Sequence, residues 1–258
     1  MDLQLSGKTA VVTGASKGIG LEVARSLAAE GVRVIAAARS AGTSSDLAEL
    51  GVTAVSLDLT DPRSAARLAE FGDVDILVNN LGGVAPASMA AAGFLAVDDA
   101  AWQQTCDLNL FATVRVTRAL LPGLLRRSGV IVNVSSIGAR AAFPPVDYGT
   151  AKAALTNLTK ALAEEFGPQG LRAMTVSPGP TRTENWGDPT GYAGRLAAAV
   201  GENLAEFLAK VPERMGITTG RLTEPSETAA LITFLASPRA GNLTGADYLA
   251  DGGVIKTV

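Results

Sequence analysis

Two side chains that can transfer protons, Tyr148 and Lys152, stand four positions apart in the sequence. On a helix, side chains at positions i and i+4 lie on one face, so the phenol and the ammonium would be neighbours. A neighbouring ammonium stabilises the phenolate and lowers the pKa of a tyrosine from its ordinary value of about 10. A tyrosine tuned in this way can exchange a proton with an alcohol or carbonyl oxygen near neutral pH. Because the Tyr-x-x-x-Lys spacing is frequent by chance, this interpretation needs support from other residues.

The residue types that the chain lacks exclude several other kinds of catalysis. Among its 258 residues there is no histidine and one cysteine, Cys106. Nucleophiles activated by histidine are therefore excluded, and so are a Cys/His zinc site and an intrachain disulfide. No clustered Asp/Glu loop suggests a Mg²⁺ or Ca²⁺ site, so we expect no metal. Acid and base chemistry is left to Tyr, Lys, Asp or Glu.

Two further polar residues support a site around Tyr148. Ser136 follows the fifth predicted strand, and a hydroxyl at the carboxyl end of a strand lies where ligands bind in open α/β sheets. Asn109 lies in the middle of a predicted helix between apolar neighbours. Asparagine has a below-average helix propensity and a buried amide needs partners, so Asn109 has a structural interpretation as well as a functional one.

Three glycines lie within residues 13–20, where the first predicted strand turns into the first predicted helix. Gly14 permits a tight turn, and Gly18 and Gly20 allow backbone and helix to approach closely. The helix N-terminus offers unpaired N–H groups and a positive dipole end to a pyrophosphate. The position favours a dinucleotide site, and the alternative is an ordinary strand-to-helix turn.

The residues after the second predicted strand indicate which dinucleotide would bind. An NAD site usually has a carboxylate there for the ribose 2′-hydroxyl, whereas this chain has Arg39. Arg39 and Lys17 both suit a 2′-phosphate, so NADP(H) is favoured, and the alternative is that both are solvated surface charges. Asp58, at the end of the third predicted strand, would reach the adenine edge or cap the helix that begins near Pro62.

Apolar strands alternate with amphipathic helices along the chain, and this order predicts an α/β fold. We expect a single-domain Rossmann fold with a doubly wound parallel sheet, because right-handed crossovers place helices on both faces. Predicted strands cover residues 9–12, 32–38, 52–57, 75–78, 130–134, 172–176 and 248–250, and predicted helices include 19–30, 98–126 and 147–166.

Residues 183–224 interrupt the alternation, because they contain no clear strand. They carry a helical pattern over 196–208 and follow the carboxyl end of a strand, which is typical of a lid over the substrate. The alternative is a surface helical pair without a functional role.

The sequence from about residue 5 to about residue 254 resembles the short-chain dehydrogenase/reductase family, near its 3-oxoacyl-carrier-protein reductase-like members. The matching features are the glycine loop at 13–20, the Asn-Asn-Leu-Gly segment at 79–82, Asn109, Ser136, Tyr148, Lys152, the segment 178–183, Gly245 and the segment 251–253.

The resemblance implies a role for each residue of the candidate site. Tyr148 would be the general acid in carbonyl reduction, and Lys152 would lower its pKa and bind the nicotinamide ribose. Ser136 would polarise the substrate oxygen, and Asn109 would hold a water that links Lys152 to solvent. Tetramers in this family commonly form through the helices that carry Asn109 and Tyr148. The implied cofactor contacts are Gly14, Ser16, Lys17, Gly18, Ile19, Gly20, Arg39, Asp58, Leu59, Asn80, Gly82, Tyr148, Lys152, Pro178, Gly179, Thr181 and Thr183.

The chain departs from the family pattern at positions near the expected pocket. Leu81 stands where the family usually has alanine, and the loop 83–97 after it is long and rich in alanine. Ser136 precedes Tyr148 by one residue fewer than is usual. Ser135 would restore that interval, but strand phase and the Asn-x-Ser-Ser match favour Ser136.

Three segments are expected to form the substrate pocket: 83–94, 137–147 and 184–222. Their expected lining is mostly apolar: Phe143, Pro144, Trp186, Tyr192 and Met215. This favours an NADPH-dependent reductase of an uncharged, moderately bulky ketone. An acyl chain on an acidic carrier protein also fits, and Arg126, Arg127 and Arg172 would then meet the carrier. The alternatives are an NAD(P)-dependent alcohol dehydrogenase and a dinucleotide-binding sensor without catalysis.

Charge and hydropathy indicate which partners and which cell compartment the protein has. The formal net charge is −3 and there is no long basic run, so we expect no nucleic-acid partner. No basic and apolar leader is visible, and no apolar run approaches the roughly 20 residues that span a bilayer. We therefore expect a cytoplasmic protein without a membrane partner.

Overall fold

The computed structural model describes residues 1–89, 91 and 93–257. Within them, seven parallel strands form one sheet in the order β3-β2-β1-β4-β5-β6-β7, which confirms the predicted fold class. The strands are β1 (Thr9–Thr13), β2 (Arg33–Ala38), β3 (Thr53–Ser56), β4 (Ile76–Asn79), β5 (Val130–Val134), β6 (Arg172–Pro178) and β7 (Asp247–Ala250).

Helices cover both faces of the sheet, so successive strand residues are buried on opposite sides. On β1, Val12 belongs to the apolar cluster under α1 (Gly18–Ala29) and α11 (Pro225–Ala236), and Val11 to the cluster on the other face. The strand order reverses between β1 and β4, whose carboxyl ends are neighbours in the sheet. A doubly wound sheet opens a ligand crevice at this point.

The short helices α2 (Ser45–Glu49), α3 (Ala66–Ala69) and α4 (Pro86–Met89) lie in the first half of the chain. The long helix predicted over 98–126 is present in three parts: α5 (Asp99–Cys106), a π-helical turn (Asp107–Phe111) and α6 (Ala112–Arg126). By length and composition alone this stretch could cross a membrane, but here α6 packs beneath the sheet through Val116, Leu120 and Leu124.

The segment 183–224 is helical, as predicted, and lies over the carboxyl ends of the strands. It contains α8 (Glu184–Gly187), α9 (Tyr192–Ala199) and α10 (Leu204–Arg214). The pattern over 196–208 is not one helix, because residues 200–203 separate α9 from α10. These helices form an apolar cluster of their own, which includes Ile137 and Val254.

Candidate active site

A cavity of about 1630 Å³ follows the carboxyl ends of the strands beneath the segment 183–224. It brings together most of the residues that the sequence predicted for catalysis and cofactor binding. Gly20 and Asn109 do not line it. The predicted residues that do are Gly14, Ser16, Lys17, Gly18, Ile19, Arg39, Asp58, Leu59, Asn80, Gly82, Ser136, Tyr148, Lys152, Pro178, Gly179, Thr181 and Thr183.

The glycine loop is built as the sequence predicts. Gly14 and Gly18 have φ angles of +65° and +55°, in the left-handed region that favours glycine. A Cβ at Gly20 would collide with the Gly14 carbonyl oxygen and the Asn80 amide, so Gly20 allows close packing and does not form the cavity wall. The Asn80 amide donates to the carbonyl oxygens of Thr13 and Gly14, each at 3.1 Å, and holds the loop in place.

The residues expected at the adenosine end are exposed to the same cavity. Lys17 and Arg39 both line it, and the Lys17 ammonium lies 3.6 Å from the Glu184 carboxylate in α8. The Asp58 carboxylate accepts hydrogen bonds from the Thr60 hydroxyl and backbone N–H at 2.6 and 3.0 Å. These bonds lower the pKa of Asp58, with a smaller contribution from Arg39. Asp58 therefore stabilises its own turn and does not cap a helix at Pro62.

Tyr148 and Lys152 lie on one face of α7 (Val146–Phe166), as their spacing predicts. The Lys152 ammonium is 5.8 Å from the centre of the Tyr148 ring, and its side chain is 2% exposed. It donates a 2.9 Å hydrogen bond to the Val134 carbonyl oxygen at the end of β5. Burial disfavours the ammonium form and lowers the pKa of Lys152 to about 8, so the ammonium still predominates at neutral pH.

The Tyr148 pKa shifts in the direction opposite to the one expected from the Lys152 ammonium. Burial raises the pKa of Tyr148, and a hydrogen bond with Ser136 opposes this effect without cancelling it. The neighbouring Tyr192 phenol raises it further. Desolvation penalises the phenolate more than its surroundings stabilise it, so the phenol keeps its proton at neutral pH.

The two serines after β5 have different environments. The Ser135 hydroxyl is buried against α7, where it donates to the Lys152 carbonyl oxygen at 3.0 Å and pairs with the Thr156 hydroxyl at 2.9 Å. The Ser136 hydroxyl accepts a hydrogen bond from the Gly138 N–H at 3.1 Å, and Ser136 lines the cavity with Tyr148, whose pKa its hydroxyl lowers. Of the two hydroxyls, that of Ser136 is the one next to the proton donor.

Asn109 lies in the π-helical turn and is fully buried. Its side-chain oxygen accepts from the Gly83 N–H, and its amide donates to the carbonyl oxygens of Gly83 and Thr105, at 2.9 to 3.0 Å. A Cβ at Gly82 would lie 2.7 Å from both the Asn109 side-chain oxygen and the Lys152 ammonium. Asn109 therefore fixes the loop after β4 directly behind Lys152, and its expected role in holding a water stays a prediction.

The expected apolar residues, among them Phe143, Trp186 and Met215, line the substrate end of the cavity. The Tyr192 hydroxyl donates to the Pro144 carbonyl oxygen at 3.0 Å, so α9 is attached to the loop before α7. The Trp186 and Tyr192 rings meet edge to face at 5.9 Å.

Two charged residues of the cavity wall, Asp107 and Arg214, were not named from the sequence, although Arg214 lies in the segment 184–222 that was expected to form the pocket. Arg214 lines the cavity, pairs with Glu202 at 2.7 Å and lies 5.5 Å from the centre of the Phe207 ring. Arg214 is the last residue of an amphipathic helix, and nothing in the sequence pattern distinguishes it from an ordinary surface arginine. Further cavity residues that were not predicted include Gln103 and Gln104, whereas Met89, Leu196 and Val211 lie in the segments 83–94 and 184–222 that were expected to form the pocket.

Two of the three arginines proposed for a carrier protein are engaged elsewhere. The half-buried Arg172 guanidinium donates to the carbonyl oxygens of Leu235, Ser237 and Ala240 at 3.0 to 3.1 Å, so that expectation is wrong for Arg172. Arg126 pairs with Asp73 at 2.6 Å.

In the described residues, no group of three or more Cys, Asp or Glu side chains is placed to hold a metal ion.

Sequence comparisons show which known proteins the chain resembles. The sequence model of a family described as "Enoyl-(Acyl carrier protein) reductase" matches residues 14–255. A 3-oxoacyl-[acyl-carrier-protein] reductase of Vibrio cholerae is 34% identical over 262 residues, which cover 98% of this chain and 99% of that protein. L-xylulose reductase of Bos taurus is 34% identical over 270 residues, which cover both chains fully.

Solved structures show the same architecture. The crystal structure of L-sorbose reductase from Gluconobacter frateurii, in complex with NADPH and L-sorbose, superposes with a TM-score of 0.88 at 32% identity, and the match covers both chains fully. A structure described as a short chain dehydrogenase/reductase family protein superposes with a TM-score of 0.79 at 38% identity, over 96% of this chain and 97% of that one.

Proposed function

Because this chain belongs to the short-chain dehydrogenase/reductase family of NAD(P)-dependent oxidoreductases that act on carbonyl and alcohol substrates, we propose that it reduces a ketone with NADPH. The observation that carries the proposal is that Tyr148, Ser136 and Lys152 line one cavity at the carboxyl ends of the strands. Tyr148 keeps its proton there, and the Lys152 ammonium is buried behind it.

Two features of the cavity support a dinucleotide with a 2′-phosphate as the cofactor. Gly14, Gly18 and the N-terminus of α1 form a turn whose backbone N–H groups suit a pyrophosphate. Lys17 and Arg39 line the same cavity and supply the positive charge that a 2′-phosphate needs. The solved L-sorbose reductase and the gluconate 5-dehydrogenase candidate from Beutenbergia cavernae, which carry NADPH and NADP, support the same choice.

The residues of this chain would supply the proton and the orientation for the reduction. The chemistry that the cofactor supplies when bound is a hydride, which goes to the carbonyl carbon. Ser136 would donate a hydrogen bond to the carbonyl oxygen, where negative charge develops. Tyr148 would donate its phenolic proton to the same oxygen, which completes the alcohol. Lys152 would stabilise the resulting phenolate through its ammonium.

The walls of the cavity favour an uncharged, moderately bulky ketone. Phe143, Trp186 and Met215 offer apolar surface, and Arg214 is already paired with Glu202. A 3-oxoacyl chain fits this lining, but attachment to a carrier gains no support from Arg172, which is bound to backbone carbonyls. Alcohol oxidation, the alternative function, would use the same residues in reverse, with the Tyr148 phenolate as the base.

The proposal is tested by steady-state rates of NADPH oxidation with a panel of ketones, including carrier-bound 3-oxoacyl groups and ketoses. We expect apolar ketones of moderate size to give the highest kcat/KM, with NADPH preferred over NADH. The reverse reaction with the product alcohol separates reductase from dehydrogenase. Failure of every ketone and alcohol on the panel would favour a non-catalytic dinucleotide sensor.

Assembly and location are further proposals that follow from the family. We infer a homotetramer that forms through α6 and α7 in the cytoplasm. The 40% exposure of Phe111, in the turn before α6, supports an interface there. Light scattering after gel filtration tests it: a monomer at micromolar concentration would contradict it.

A further inference from the structure

A buried carboxyl group stands directly before the proposed proton donor in the chain. Asp147 is fully buried, and one of its oxygens, Oδ2, accepts hydrogen bonds from the hydroxyls of Ser88 and Thr105. Both partners are buried as well, at 1% and 0% exposure. The other oxygen, Oδ1, has no hydrogen-bond partner in the part of the chain that the structure describes. The proposed reduction does not involve the Asp147 carboxyl group.

Such a group is costly, so its position needs a reason. Moving a carboxyl out of water is unfavourable unless its oxygens are hydrogen-bonded, and here one oxygen is not. None of the ion pairs among the described residues includes Asp147. Its place in the first turn of α7 gives it some stabilisation from the helix dipole, which makes helix stabilisation the competing, purely structural role.

The hydrogen bonds of Asp147 join three elements that surround the cavity. Ser88 lies in α4, Thr105 lies in the last turn of α5, and Asp147 itself lies in α7. The Thr105 carbonyl oxygen also accepts from the Asn109 amide at 3.0 Å. Asn109 in turn holds both backbone polar groups of Gly83. The loop after β4 is therefore attached at Gly83 by Asn109 and at Ser88 by Asp147.

The span between these two attachments forms a wall of the cavity, which we name the α4 wall (residues 84–89). Val84, Ala85, Pro86 and Met89 line the same cavity as Tyr148 and Ser136. Ser88 points the other way, into the buried contact with Asp147. Because Asp147 and Tyr148 are consecutive residues of one helix, the hydrogen bond to Ser88 sets how far the α4 wall stands from the phenol.

We propose that Asp147 is a positioning residue that fixes the α4 wall against the helix of Tyr148 and thereby limits the bulk of the ketone that the cavity accepts. Loss of this attachment leaves the cofactor end untouched, because Lys17, Arg39 and the glycine loop lie on other elements. The kinetic consequence rests on the proposed function, whereas the mobility of the α4 wall does not.

The test compares Ser88→Ala and Asp147→Asn with a matched control, Thr159→Val. Thr159 lies in the same helix, is 1% exposed and shares its hydroxyl with Asn133, Thr175 and the Leu155 carbonyl, remote from the α4 wall. Hydrogen–deuterium exchange of the 84–89 amides is measured first, because it requires no turnover. Steady-state rates of reduction are then measured with a small ketone and with a bulky ketone.

We expect exchange in residues 84–89 to accelerate about tenfold in Ser88→Ala, as for the loss of one buried hydrogen bond, and less in Asp147→Asn, whose neutral amide oxygen still accepts from both hydroxyls. The KM for the small ketone should rise about tenfold, and the preference against the bulky ketone should weaken. The KM for NADPH and kcat should stay within about twofold. Thr159→Val should lower Tm without either effect. The double variant that combines Ser88→Ala with Asp147→Asn should be no worse than Ser88→Ala alone.

Unchanged exchange in Ser88→Ala, or the same rise in KM in Thr159→Val, would overturn the proposal and leave Asp147 with a structural role alone. If Asp147→Asn does not fold, Ser88→Ala and Thr105→Val carry the same test, because each removes one of the hydroxyls that donate to Asp147. If the wild type reduces no ketone, the proposed function fails, but the exchange experiment still decides whether Asp147 fixes the α4 wall.

Discussion

The Lys152 ammonium lies 5.8 Å from the centre of the Tyr148 ring and donates to the Val134 carbonyl oxygen, with its side chain almost out of contact with solvent. The two residues titrate in opposite directions for one reason: burial disfavours both charged forms, the ammonium and the phenolate. At neutral pH the pair therefore consists of a neutral phenol and an ammonium, which is the state that protonates a carbonyl oxygen.

This relationship predicts how the rate depends on pH. Burial lowers the pKa of Lys152 to about 8, so its positive charge is present below that pH and lost above it. The kcat/KM for ketone reduction should therefore fall as the pH rises through about 8, since this parameter reports the free enzyme. The measurement is a profile of kcat/KM from pH 6 to 10. A constant value across this range would contradict the role given to the ammonium.

The two serines after β5 should respond differently to loss of the hydroxyl. Ser136→Ala removes the hydrogen bond to the substrate oxygen and should lower kcat about 100-fold or more. Ser135→Ala removes bonds to the Lys152 carbonyl oxygen and the Thr156 hydroxyl, so it should cost about 1 kcal/mol of unfolding free energy and little rate. Kinetics and chemical denaturation of both variants check this, and the opposite pattern would reassign the site to Ser135.

The cofactor preference should depend on Arg39. Arg39→Ala should raise the KM for NADPH about 10- to 100-fold and leave the KM for NADH unchanged, because charge-assisted hydrogen bonds to a 2′-phosphate are lost. Lys17→Ala should raise the KM for NADPH less than Arg39→Ala does, because the Glu184 carboxylate lies 3.6 Å from the Lys17 ammonium. Arg63→Ala is the control, because Arg63 pairs with Asp61 outside the cavity. A wild type that prefers NADH would refute this assignment.

The features that sequence could predict are those with a local pattern. Apolar runs gave every strand of the sheet to within a few residues, and the glycine loop lies where a strand meets a helix. The spacing of Tyr148 and Lys152 places them on one face of any helix that contains both. Ser136 could be preferred to Ser135 because strand alternation turns neighbouring side chains to opposite sides.

The features that sequence could not predict depend on contacts between distant segments. The π-helical turn that contains Asn109 adds a residue to a helix turn, and its apolar pattern is that of an ordinary helix. Asp147 meets Ser88 across 59 positions of sequence, and nothing local marks its carboxyl as buried. The direction of the Tyr148 pKa shift also depends on how deeply the folded chain buries the phenol.

The central claim is that the Tyr148 phenol donates the proton, and Tyr148→Phe tests it most directly. The ring is kept and only the hydroxyl is removed, so NADPH affinity should stay within about twofold. It is followed through the fluorescence of the two tryptophans, of which Trp186 lies in the cavity wall. We predict that kcat for ketone reduction falls about 100- to 10,000-fold. Wild-type turnover in Tyr148→Phe, with NADPH still bound, would contradict the account.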